Sequence, residues 1–206
     1  CREHHNAANE YVACWLAGKL SIPAPHAWLL SPSEKLNSLY PVAIEFIEGF
    51  TAFRKNDVPE KMHDDLISQF ALASLIDTDD AIQLNAANGR IYSYDFSEAF
   101  FVSDSMMLKA FLYNGDIGIE LARKKLAAFQ RHLTYMDFDV PALAREFGLD
   151  PERQRVGMIT TARKVLDISD DEIRSMSEEL EKMYPKGYAI YYEECIRLMQ
   201  ERMKTF

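Results

Sequence analysis

Asn88-Gly89 stands between two short runs rich in apolar and aromatic residues, "AIQLN" (81–85) and "RIYSYDF" (90–96). Both members of such a pair accept positive φ, which the two-residue turns of β-hairpins demand and a right-handed helix has no place for. The pair therefore predicts a hairpin in the middle of the chain. On its N-terminal side the residues mix a helix with short strands. On its C-terminal side they are periodic at helical spacing almost to the end.

Residues 7–20, "AANEYVACWLAGKL", carry Val12, Leu16 and Leu20 at helical spacing, with Asn6 or Asn9 as the N-cap. The prolines of "SIPAPHAW" end that helix, and "HAWLL" and "PVAIEFI" read as short strands. A second helix is expected from near Pro59 to about Ile76, with Met62, Leu66, Phe70 and Ala73 on one face. Beyond the hairpin, helices are expected over 117–133 and 140–149, the latter stopped by Gly148. Another starts at Asp150-Pro151, one begins after Ser169, and the last runs from Gly187 after the break at Pro185. The tyrosines of the last helix (Tyr184, Tyr188, Tyr191, Tyr192) read as its core and rim.

Charge and cysteine usage narrow the function classes. There are 32 acidic against 23 basic side chains, a formal charge of −9, so a phosphate-backbone surface is not the dominant feature and no nucleic-acid partner is expected. No apolar run approaches a membrane span, so no membrane partner is expected either. The three cysteines are odd in number and widely spaced, which suits reduced thiols in a cytoplasmic protein. The chain opens on Cys1 and almost at once enters a helix, so a piece of something longer is expected.

The chemistry sits on the hairpin. Asp80 lies in the turn before it, Asn85 at the end of its first strand and Asp95 at the end of its second. Because a hairpin folds back on itself, one acid, one amide and one acid are expected to converge. A carboxylate and a neutral amide suit Mg²⁺, which takes few protein ligands and completes its shell with water and phosphate oxygens. A further carboxylate beside it suits a base for a hydroxyl nucleophile. A calcium loop does not fit, since Ala81 stands where the fifth-position ligand belongs and no glycine comes after it.

"DAIQLN" followed after a hairpin by "YSYDFSEAF" resembles the catalytic segment of HipA-like kinases. The resemblance makes Asp80 the catalytic Asp and Asn85 and Asp95 the metal ligands. "NEYVACWLAGKLSIPAP" is similar to the family's helix and following strand, which makes Glu10 the partner of an ATP-binding lysine. "PVAIEFIEGF" looks like the strand and hinge, with the backbone of Glu45, Phe46, Ile47 and Glu48 meeting the adenine. The fold implied is α+β and protein-kinase-like. A mostly helical C-terminal lobe (57–206) carries the catalytic hairpin, and residues 1–56 are a remnant of the N-terminal lobe. The cofactors implied are ATP and Mg²⁺, and the acceptor a protein or small-molecule hydroxyl, with Ser or Thr first.

The chain departs from the family pattern in three places. It has no glycine-rich loop and no strand lysine, and Ala81 and Ile82 stand where basic residues usually come after the catalytic Asp. Two other readings therefore stay open. One is a catalytically inactive kinase-like module that binds nucleotide or protein. The other is a helical interaction protein without nucleotide.

Overall fold

The computed structural model describes residues 3–31, 42–51, 58–76, 83–94, 96, 99–100, 146–184 and 186–205. The helix expected over 117–133, and all but the end of the one expected over 140–149, lie outside them. Among the described residues the architecture is α+β, with five α-helices and two antiparallel two-stranded sheets. No described helix is long and apolar enough to cross a membrane.

Helix α1 (Glu3–Lys19) starts before either asparagine offered as its cap. Asn9 is instead fully buried, and its Oδ1 accepts a hydrogen bond from Tyr192 Oη at 2.5 Å. The helix ends through Ser21 in the left-handed region (φ 59°), with the Ile22 N–H returning to the Ala17 carbonyl at 2.9 Å. Lys164 Nζ caps the Leu20 carbonyl at 3.0 Å. Strands β1 (Ala27–Leu29) and β2 (Val42–Ile44) pair antiparallel, Trp28 opposite Ala43. Both are shorter than the runs that announced them.

A single 3-10 turn (Glu60–Met62) leads into α2 (His63–Ile76). Helical spacing alone predicts one apolar face here. Burial goes further, taking in Leu66, Ile67, Gln69, Phe70, Ala71, Leu72, Leu75 and Ile76, while Met62 and Ala73 are half-buried. The reason is that α2 serves two cores. Its first half packs with Ile91, Phe147, Leu149 and Met158, and its second half with α1 and the C-terminal helices. The boundary expected between residues 56 and 57 falls outside the described residues, and one apolar core joins residues 8–27 to residues 162–203.

Strands β3 (Gln83–Ala87) and β4 (Arg90–Tyr94) form the expected hairpin. Asn88 and Gly89 have φ of 53° and 75°, so the loop holds these two residues alone and the ladder closes at Ala87 opposite Arg90. This overturns one expectation. Asn85 is not at the end of its strand but in its middle, opposite Tyr92, because Ala86 and Ala87 belong to the ladder rather than to the turn.

The C-terminal helices obey their sequence signals closely. Gly148 (φ 67°) stops the preceding helix, and Asp150 caps α3 (Pro151–Arg163) by accepting the Arg153 N–H at 2.7 Å. After the 3-10 turn Lys164–Asp167 comes α4 (Asp170–Glu181), opened by a capping box between Ser169 and Glu172. Helix α5 (Lys186–Met203) packs on α4 and buries Tyr188, Tyr191 and Tyr192.

This packing can be tested at Gly157. A Cβ there would lie 2.7 Å from Ile67 Cγ2, a branched carbon held close to the α2 backbone. Overpacking of about 1–3 kcal/mol outweighs the roughly 1 kcal/mol that alanine gains over glycine in a helix. Gly157→Ala should lower the melting midpoint by about 2–4 °C, and an unchanged or raised midpoint would show that the contact is not tight.

Lys19, and then Ser169, hold the Glu172 carboxyl down to about 2 from its ordinary 4.5. A depressed carboxylate stabilises the fold above its unfolded value and loses that contribution as pH falls through the folded one. The stability gap between the parent and Glu172→Gln should therefore be full above pH 4.5 and close as the pH drops towards about 2. Thermal melts across that range read it directly.

Candidate functional site

Glu10, on the buried side of α1, is 7% exposed. A buried carboxylate needs donors, and Glu10 Oε1 accepts the backbone N–H of Phe96 at 2.5 Å. The two residues are 86 positions apart. The expected helix glutamate thus touches the backbone N–H of Phe96, the residue after Asp95 in the sequence. Burial, and then the Glu10 charge, push the Cys14 thiol one helical turn away up to about 12. That cysteine is a core residue rather than a nucleophile.

Residues 45–48 form the linker that leaves β2. It is pinned at both ends. Glu45 N–H donates to the His26 carbonyl at 2.7 Å while the Glu45 carboxylate accepts the His26 N–H at 3.0 Å. At the far end Thr51 and Ala86 exchange two backbone hydrogen bonds at 2.9 and 3.0 Å, laying the linker along the outer edge of β3. Between these pins, Phe46, Ile47 and Glu48 make no backbone hydrogen bond to another described residue, and the Phe46 ring is 89% exposed. Glu45 to Glu48 line a cleft of about 460 Å³, closed on the other sides by residues 21–24 and by Asn88, Arg90 and Tyr92 at the hairpin tip. That volume is in the range of small-molecule sites.

Side chains alternate along the hairpin, so Asn85, Tyr92, Tyr94 and Arg90 share one face. The Phe50 ring lies on it, 5.7 Å from Tyr92 and 5.9 Å from Tyr94. The opposite face, with Leu84 and Ile91, packs on α2. Tyr94 pairs with Gln83, so Asn85 stands two residues inside the end of the ladder, about 7 Å along the strand.

The remaining two expected residues, Asp80 and Asp95, lie outside the described residues. Among the described ones no group of three or more His, Cys, Asp or Glu side chains is placed to hold a metal. Asn85 alone does not make a Mg²⁺ site, so the fit to that ion rests on the two carboxylates.

Sequence reading missed the residues that hold the cleft open. Gln69 is fully buried in α2, and its Nε2 donates to the Pro23 carbonyl at 2.6 Å and the Ile91 carbonyl at 2.8 Å. Its Oε1 accepts Ser93 Oγ at 2.5 Å. One amide therefore joins the segment after α1 to β4. The signal was there: a lone glutamine among apolar residues in "LISQFALASLI". Asp65 holds Arg90 through two hydrogen bonds of 2.7 and 2.9 Å and also accepts the Ile91 N–H at 3.2 Å. This pairing raises the Arg90 pKa and fixes the guanidinium beside the cleft.

Gln69→Leu would strand the buried Ile91 carbonyl and Ser93 hydroxyl and the half-buried Pro23 carbonyl. At about 1–3 kcal/mol for each buried group left unsatisfied, the variant should melt well below the parent. A melting point within a degree of the parent would remove Gln69 from its role as the link.

No family model, curated protein or solved structure matches this chain.

Proposed function

We propose that the chain is the larger part of a HipA-like, ATP- and Mg²⁺-dependent kinase that transfers the γ-phosphate to a hydroxyl, with Ser or Thr as the first candidate acceptor. One observation carries the reading. The buried Glu10 carboxylate meets the backbone N–H of Phe96 across 86 residues of chain, which brings the expected helix glutamate to the residue that follows the expected metal-binding aspartate.

In this reading the linker 45–48 receives the nucleotide base, with the backbone groups of Phe46, Ile47 and Glu48 engaged by no described residue. Asp95 and Asn85 hold Mg²⁺, whose charge offsets that of the phosphates. Asp80 orients the acceptor hydroxyl and takes its proton. Such catalysis is mostly positioning and charge neutralisation, which suits a cleft pinned by Gln69, Asp65 and Glu45.

A second reading has its own support. Asn85 lies opposite Tyr92 in mid-strand, and Ala81 and Ile82 replace basic residues. Both favour a kinase-shaped module that binds nucleotide without turnover.

Thermal shift with Mg·ATP, and then transfer of labelled γ-phosphate, separates the two. A ligand that binds the folded state alone at 100 times its Kd adds about 2.7 kcal/mol, a rise of roughly 5–10 °C for a chain of this size. Asp95→Ala should abolish the shift. Asp80→Ala should keep the shift and lose transfer. A shift without transfer in the parent selects the binding module, and no shift at all rejects nucleotide binding.

A further inference from the structure

We infer that Arg90, held in place by Asp65, is a binding residue for the nucleotide base and forms the wall of the cleft against which the ring lies. The inference rests on the nucleotide reading and adds to it a side chain, where that reading has the linker backbone alone.

Arg90 opens β4 opposite Ala87, on the face that also carries Asn85 and Tyr92. The turn at Asn88 and Gly89 comes immediately before it, so it stands at the tip of the hairpin. Its Nε and Nη2 donate to the two carboxylate oxygens of Asp65 at 2.7 and 2.9 Å. The Asp65 carboxylate also accepts the Ile91 N–H at 3.2 Å, so it cannot swing away without loss. Asp65 is 16% exposed and Arg90 52% exposed. A fork of this kind occupies one edge of the guanidinium. Its two faces stay open, and Nη1 has no hydrogen-bond partner among the described residues. A guanidinium fixed in this way is suited to stack on a ring.

Charge decides which part of a nucleotide the cleft takes. Among its described lining residues Arg90 is the one basic side chain, against Glu45 and Glu48, and Asp65 already meets its charge. Phosphates there would face uncompensated carboxylates. A neutral heteroaromatic ring escapes that repulsion and finds Phe46 and Tyr92 as further lining. The direction of the nucleotide follows. Asn85, the expected metal ligand, pairs with Tyr92 about 7 Å along the ladder from the Ala87–Arg90 pair. A base at the tip, with phosphates running towards Asn85, keeps the charged end out of the acidic cleft.

The test separates base from phosphates by using three probes: adenosine without metal, Mg·tripolyphosphate, and a non-hydrolysable Mg·ATP analogue. Their Kd values are measured by calorimetry on the parent, Arg90→Ala, Arg90→Lys and Asp65→Asn, with a melting curve for each. Arg90→Ala should weaken adenosine and the ATP analogue by about tenfold, the scale of a desolvated cation–π contact. Arg90→Lys keeps the charge beside Asp65 but not the flat group, and should weaken both severalfold. Asp65→Asn keeps an acceptor for Ile91 and loosens the guanidinium, with the same severalfold effect. Mg·tripolyphosphate should bind all four proteins alike.

Adenosine binding that no variant alters overturns the inference. So does a loss shared equally by all three probes and the melting point, which makes the Arg90–Asp65 pair structural only. A parent that binds Mg·ATP and Mg·tripolyphosphate equally, and adenosine not at all, overturns the inference and leaves the kinase reading standing. Adenosine binding that depends on Arg90, with no gain from Mg²⁺ and phosphates, upholds the base site and rejects the kinase reading. A parent that binds none of the three rejects both. Should Arg90→Ala not fold, Arg90→Lys and Asp65→Asn decide the matter by the same comparison.

Discussion

A helix that is apolar on most of its faces has to be surrounded, and α2 imposes that requirement on the rest of the chain. Eight of its fourteen residues are buried, and the seven apolar ones are split between two cores that no other described helix joins so fully. The burial is bearable because its one fully enclosed amide, Gln69, finds three partners. An unpaired amide at that depth would cost about as much as a neighbouring leucine contributes. The same three bonds bring the segment after α1 against β4, so the constraint that buries α2 also shapes the cleft.

The cleft inherits its geometry from pins at its edges. Glu45 is tied to His26, Thr51 to Ala86, and Arg90 to Asp65. The linker between the first two is left with backbone groups turned to no described neighbour. That combination, fixed ends with an unengaged middle, is how a loop offers hydrogen bonds without paying their ordering entropy at the moment of binding. The Phe46 ring, exposed on this stretch, adds an apolar surface at the rim.

At Phe100 the logic is reversed, with a strained backbone angle and support supplied by other elements. Phe100 would not adopt its φ in a free peptide. Burial of its ring, the carbonyl bond from Tyr191 and the amide bond to Ile76 hold it there. Glu10 completes the arrangement from α1.

Local chemistry was enough for the punctuation of this chain. Asn88-Gly89 specified the hairpin turn, Asp150-Pro151 and Ser169 started their helices, and Gly148 stopped one, because each acts through its own backbone angles or nearest neighbours. Glu10 and the linker 45–48 were singled out from sequence as members of a pattern, with a lysine and an adenine as their expected contacts and no hint of the Phe96 N–H that Glu10 meets. Partners across 86 residues, the wrapping of α2 by two cores, the bridging role of Gln69 and the mid-strand place of Asn85 were decided in three dimensions. Residue spacing records which side chains share a face of one element. Which faces then meet depends on where every other element finds room to bury its own.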